Sequence, residues 1–215
     1  KNIKNIKKVF SIFLDNKNSK TRPIYVNNYK WLGKLNYIKF LRDIGKHFTI
    51  NKMLSFDSVK LRLEREQSLS YMEFNYMILQ AYDFLELNKT KNCLMQIGGS
   101  DQWGNIVNGV ELVKRYSSKQ VYGLTTPLIT LASGAKMGKT EKGAVWLDKK
   151  LLSSYDYWQF WRNTDDRDVV KFLKMFTDKD VSEIENIKDK KINDLKTLLA
   201  NEATTLLHGK AAAVK

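Results

Sequence analysis

Residues 96–105 read Gln-Ile-Gly-Gly-Ser-Asp-Gln-Trp-Gly-Asn, and no other segment restricts the fold as much. The apolar run before it, Cys93-Leu94-Met95-Gln96-Ile97, has the length and composition of a short buried strand. Two glycines follow, suited to a sharp turn or to a close approach of backbone and ligand. Asp101 and Gln102 then offer an acceptor and an amide just past the strand's carboxyl end, where open α/β sheets bind their ligands. From about Asn105, Ile106, Val110 and Val113 recur at helical spacing. Strand, glycine pair, polar side chains and helix, in this order, predict an α/β fold and suit a nucleotide or a small polar metabolite. By itself a Gly-Gly pair is more often a plain turn, so the neighbouring segments decide.

Those neighbours sort into a sheet-containing half and an all-helical half. Residues 1–15 have an apolar helical face, 15–22 read as a charged loop, and Pro23-Ile24-Tyr25-Val26 as extended chain. Between Leu35 and Leu69 the pattern is helical. Tyr37, Phe40, Leu41 and Ile44 share a face that Gly45 ends, and a second helix begins after Asp57. Residues 71–86 form the most apolar helix and are read as buried. Val121–Leu131 is strand-like but interrupted at Pro127, and 132–144, with Gly134, Gly138 and Gly143, reads as a mobile loop. From Ser154 onward, the spacing of Tyr157, Phe160 and Trp161, of Val169, Phe172 and Leu173, and of Leu195, Leu198 and Leu199 predicts helices throughout. The charged runs Asp165-Asp166-Arg167-Asp168 and Lys188–Lys191 are read as solvated faces.

Composition narrows the class. With 215 residues, 43% of them hydrophobic, the chain can bury a core of one or two domains. Lysine and arginine number 37 against 23 acidic residues, a net charge of +14, which attracts polyanions such as RNA; a lysine- and asparagine-rich codon bias contributes to the excess as well. The single cysteine, Cys93, excludes a disulfide framework and a cysteine zinc site, and two histidines, His47 and His208, make no metal cluster. No metal ligand is therefore assigned. No run of about 18 apolar residues is long enough to span a membrane. Lys1–Lys8 lacks the apolar core of a secretory signal. The compartment reads as reducing, the bacterial cytoplasm, with an organelle matrix as the alternative.

Two groups of residues have the make-up of a site. Tyr76, Gln80 and Asp83 stand at i, i+4 and i+7, one face of the 71–86 helix. A buried carboxylate and amide must be hydrogen-bonded or cost about 1–3 kcal/mol each. Such a trio is either an internal polar network or a pocket for a ligand with one hydroxyl and one ammonium group. The second group is Lys136-Met137-Gly138-Lys139-Thr140 in the glycine-bearing loop. Two lysines around a glycine can swing onto a phosphate chain and neutralise charge as pyrophosphate departs. The lysine spacing alone says nothing, since Lys1/Lys4, Lys171/Lys174 and Lys188/Lys191 share it.

Together these strings resemble the tyrosyl-tRNA synthetases, class I aminoacyl-tRNA synthetases of bacterial and organellar type. Tyr76–Leu85, Gln96–Asn105, Lys136–Thr140 and Tyr157-Trp158-Gln159-Phe160-Trp161 match that family, as do Asn27-Asn28-Tyr29-Lys30-Trp31 and Phe40–Phe48. The likeness covers nearly the whole chain in one colinear order. It implies a Rossmann-like α/β catalytic domain, represented by its C-terminal part in residues 1–131, with 28–70 as a helical connective and dimerisation insertion. Residues 132–153 would be the loop usually written KMSKS with its linker, and 154–215 the start of an all-α, anticodon-side domain.

The same resemblance implies ATP-dependent attachment of L-tyrosine to tRNA(Tyr) through a tyrosyl-adenylate. Tyr76 and Gln80 would hold the substrate's ammonium end, Asp83 its phenol hydroxyl and Gln102 its carboxylate region, with Gly99 and Asp101 facing the ribose. Lys136 and Lys139 would meet the ATP phosphates, with Thr140 completing the loop. Partners would be ATP with Mg2+, tRNA and a second subunit. The family's His-x-Gly-His element and small C-terminal RNA-binding domain do not occur in these 215 residues. The chain is therefore expected to be an interior piece, poorly soluble and inactive on its own. Two other readings stay open: a non-catalytic RNA-binding or splicing protein on the same scaffold, and a tryptophanyl-tRNA synthetase.

Overall fold

The computed structural model describes residues 2–14, 17–18, 20–140 and 143–214, with Lys139 and Thr140 represented by their backbone only. Its helices are α1 (Asn2–Phe13), α2 (Tyr29–Leu32), α3 (Tyr37–Asp43), α4 (Ile50–Leu54), α5 (Asp57–Glu64), α6 (Tyr71–Lys91), α7 (Trp103–Ser117), α8 (Ser154–Arg162), α9 (Asp166–Phe176), α10 (Val181–Ile187), α11 (Ile192–His208) and α12 (Lys210–Val214). The strands are β1 (Met95–Gly99), β2 (Tyr122–Thr126), β3 (Lys139–Thr140) and β4 (Gly143–Ala144). The chain divides into two compact units, Val26–Leu128 and a second made of Lys1–Tyr25 with Ile129–Lys215.

The first unit is built around α6. Ser70 starts it with a capping box: the Ser70 hydroxyl accepts the Glu73 N–H, and Glu73 accepts the Ser70 N–H at 2.9 Å. Arg62 also binds Glu73, and these donors pull the Glu73 carboxyl down to about 2. At the other end, Asn92 takes a left-handed conformation, φ 52, and the buried Asn88 amide donates to the Cys93 carbonyl at 3.0 Å. The chain thus leaves the helix in a fixed direction and enters β1. Met77, Ile78, Ala81, Phe84, Leu85 and Asn88 form the buried stripe.

β1 and β2 pair in parallel, Met95 opposite Tyr122 and Gly99 opposite Thr126, with α7 as the crossover packed on α6. Gly123 lets α7 lie close to the sheet, because a Cβ there would stand 2.5 Å from Cγ2 of Ile106, a fully buried side chain. Gly123→Ala is expected to destabilise this unit by about 1–3 kcal/mol through overpacking. The check is the shift of the urea unfolding midpoint at unchanged slope.

Three expectations need adjusting. The strand begins two residues later than the apolar run suggested, so Gly98 and Gly99 are its last residues and the turn comes after them. Helix 71–86 extends to Lys91 and is buried on one stripe only, leaving Tyr71, Met72 and Tyr76 exposed. Gly45 does not end a helix: α3 stops at Asp43 and Gly45 opens a short 3-10 turn.

The second unit is helical. Tyr157, Trp161, Val169, Phe172, Leu173, Ile184, Leu195 and Leu199 make its core, and Trp161 contacts the ring of Phe176 at 4.9 Å between centroids. The N-terminal helix α1 lies against α11 in this unit and buries none of its own residues. Among the described residues, no helix is long and apolar enough to cross a membrane.

Candidate functional site

Helix α6 places Tyr76, Gln80 and Asp83 away from its buried stripe. Tyr76 is 58% exposed, while Gln80 and Asp83 are half-buried. This corrects the expectation of a sealed polar trio: the three side chains line an open face. The Asp83 carboxylate is nonetheless fixed. Its Oδ1 accepts the Trp31 indole N–H at 2.6 Å, and its Oδ2 accepts the Asn28 amide at 3.0 Å. Both donors come from the start of α2, more than 50 residues earlier in the chain. An ionised carboxylate has about four lone-pair sites. Two neutral donors therefore orient Asp83 and leave it able to accept a further hydroxyl. Next to it, burial raises the pKa of the Tyr82 phenol and keeps that ring neutral.

Sequence reading missed Asn28 and Trp31 as partners of Asp83. The string Asn27–Trp31 stood out, but nothing local in it points to a carboxylate so far along the chain.

At the end of β1, the glycine pair serves close approach and not unusual dihedral angles. A Cβ on Gly98 would lie 3.1 Å from both the Gln102 Cβ and the Ile106 Cδ1. One on Gly99 would lie 2.6 Å from an Asp101 carboxylate oxygen. The chain turns through Ser100–Gln102 directly into α7, so Asp101 and Gln102 stand at a helix amino end. Asp101 is exposed, and Gln102 and Gly99 are half-buried. The Gln102 side chain accepts from the Asn105 amide at 3.1 Å and donates weakly to Asp101 at 3.4 Å. These are contacts between small polar groups at a strand–helix junction, the end of an α/β unit at which ligands bind.

In the second unit, the first part of the loop that holds the lysine pair is hydrogen-bonded to itself. Residues 129–137 form a narrow hairpin: Leu131 N–H donates to Ala135, Gly134 N–H to Leu131 and Met137 N–H to Ile129. Thr130 and Lys136 face each other across it. Gly134 and Gly138 have φ of 83 and 85, which glycine tolerates without strain. Lys136 is exposed, while Met137 packs against the helical core. Lys139 and Thr140 lie in β3, paired with Ala144 and Gly143; their side chains fall outside the described residues. Met137 and Gly138 also border an apolar cavity of about 550 Å³ walled by Tyr157, Phe160, Trp161 and Phe176. Its lining is too apolar for phosphate.

No group of three or more His, Cys, Asp or Glu suited to a metal occurs among the described residues.

Residues 1–215 match a family described as tRNA synthetases class I (W and Y). The chain is similar to a protein named tyrosine–tRNA ligase from Pelagibacter ubique (strain HTCC1062), with 78% identity over 215 residues, 100% of this chain and 53% of that protein. It is 59% identical to one of the same name from Zymomonas mobilis subsp. mobilis, over 99% of this chain and 53% of that protein. Among solved structures, a C-terminally truncated mitochondrial tyrosyl-tRNA synthetase of Coccidioides posadasii superposes with a TM-score of 0.80 at 31% identity, covering 99% of this chain and 64% of that one. The chain spans about half the length of the curated relatives it matches.

Proposed function

The chain belongs to the class I tRNA synthetases of the tryptophan and tyrosine group, and from that membership we propose that the protein attaches L-tyrosine to tRNA(Tyr) through a tyrosyl-adenylate made from ATP. The chain has a class I synthetase catalytic fold with helices and a small parallel sheet. The observation that supports tyrosine best is the Asp83 carboxylate, oriented by Trp31 and Asn28 on a face shared with Gln80 and Tyr76. A phenol hydroxyl is a good donor to such a group, while a phenyl ring has no donor to offer it. The relatives named for tyrosine at 78% and 59% identity support the same choice over tryptophan and over a binding protein without catalysis.

In this reading, Tyr76 and Gln80 hold the substrate's ammonium end and Gln102 lies by its carboxylate. Gly99 and Asp101 face the ribose. The tyrosine carboxylate attacks the α-phosphorus of ATP, and pyrophosphate leaves with its charge stabilised by Lys136 and Lys139, with Thr140 beside them. The protein supplies positioning and charge stabilisation; no covalent enzyme intermediate is needed. Magnesium would arrive with the ATP phosphates.

Residues 28–70 serve as the connective and dimerisation insertion, supported by exposed Tyr37, Ile38, Ile50 and Leu63. Residues 154–215 begin the anticodon-side domain, and the +14 charge suits tRNA. The protein would act as a homodimer in the bacterial cytoplasm.

The test is amino-acid-dependent ATP–pyrophosphate exchange by the full-length protein. Exchange with tyrosine and little with tryptophan or phenylalanine is expected. Exchange with tryptophan alone, or none with any amino acid, overturns the reading.

A further inference from the structure

The charged run Asp165–Asp168 does not form a solvated face throughout. Asp168, in the first turn of α9, is only 2% exposed. Its Oδ2 accepts the Ala132 backbone N–H at 2.7 Å, and its Oδ1 meets the Lys171 ammonium at 2.7 Å. Lys171 in turn donates to the Thr130 carbonyl at 2.6 Å and sits over the Phe172 ring at 4.8 Å. One carboxylate and one ammonium on adjacent turns of a helix thus grip both sides of Leu131, where the chain enters the 129–137 hairpin. Thr130, whose carbonyl Lys171 holds, is the residue directly across from Lys136.

We propose that Asp168 and Lys171 are positioning residues for nucleotide activation: their grip on Thr130 and Ala132 sets where the loop presents Lys136 to the ATP phosphates. This deepens the tyrosine–tRNA ligase reading and rests on it. A lysine that stabilises departing pyrophosphate gains from being held in advance, since reorganising a loop during the reaction would cost rate. The grip supplies that hold from a rigid helix, because Phe172 and Leu173 on the same helix are core residues with 1% and 0% exposure. A half-buried ion pair with only a structural role would look the same at rest, so the test must separate the two.

The experiment uses the full-length protein with Asp168→Asn and Lys171→Met, both close in shape to the residues they replace and both checked for folding by circular dichroism. Either change is expected to lower the ATP-dependent rate of adenylate formation roughly 10–100-fold, as misplacement of a reacting group does, with KM for tyrosine unchanged. The decisive readout is a double-mutant cycle with Lys136→Ala. If the clasp works through Lys136, Asp168→Asn has little further effect once Lys136 is gone. Defects that add fully, a matching rise in KM for tyrosine, or an unchanged ATP step overturn the proposal. A wild-type protein without tyrosine-dependent exchange would instead remove the functional reading, and this role with it. Variants that keep full ATP activity in an active protein remove the clasp alone.

Discussion

In the full-length protein, Lys136→Ala is expected to slow tyrosyl-adenylate formation roughly 10²–10³-fold, the usual effect of removing one preorganised donor to a developing anion. Tyrosine affinity should stay where it was. The argument starts from the hairpin. Lys136 is exposed at the side-chain level, but its backbone is pinned opposite Thr130, and the next residue, Met137, is anchored in the helical core. The substitution therefore removes an ammonium group and leaves the loop's path intact. An ammonium that meets phosphate oxygens mainly as pyrophosphate departs lowers the barrier and contributes little to ground-state binding, so the rate falls and the affinities hold. Single-turnover kinetics with varied ATP separate the two. A parallel loss in tyrosine binding, or a rate within experimental scatter of the wild type, would show that this lysine does not act on phosphate. Lys139→Ala should behave in the same way.

How much of this was legible in the sequence depends on how local the cause is. α6 and α7 announced themselves by apolar spacing, whereas the strand-like run Val121–Leu131 shortens to β2, which stops at Thr126 just before Pro127, because a proline cannot donate to a ladder. The glycine pair was visible, but its reason was not. The need for a missing side chain at Gly98 arises from Gln102 and Ile106, four and eight residues further on, a contact that exists only once the strand meets the helix. The same holds more strongly for the polar pairs. Asp83 reads as a carboxylate on a helix, and only the fold brings Trp31 and Asn28 to it. Asp168 sat in a run of charges that look solvated by composition, and burial selected one of the four. Composition and periodicity report on neighbours within a turn or two. Polar contacts that span 36 to 55 residues are set by packing.

Asp83→Ala is expected to abolish most of the discrimination between tyrosine and phenylalanine while the protein stays folded. The fold should survive because Asp83 lies off the buried stripe of α6, and its two donors, the Trp31 N–H and the Asn28 amide, are near enough to solvent to find water. The loss of selectivity follows from what the carboxylate does for each substrate. With tyrosine bound, it accepts a hydroxyl; with phenylalanine bound, it faces a ring edge and loses water without gaining a partner. A hydrogen bond to a charged group is worth about 1.5–3 kcal/mol, so the preference tied to it should drop roughly 10–150-fold in relative kcat/KM. Trp31→Phe is the sharper variant. It keeps an aromatic ring in α2 and removes only the donor that fixes Oδ1, so selectivity should fall part of the way while Asp83 keeps its charge. A structural role for Asp83 predicts the opposite pattern: lower stability in both variants and the wild-type ratio of tyrosine to phenylalanine activation. Measuring that ratio beside the urea midpoint for each variant therefore decides whether the carboxylate reads a substrate or only ties α2 to α6.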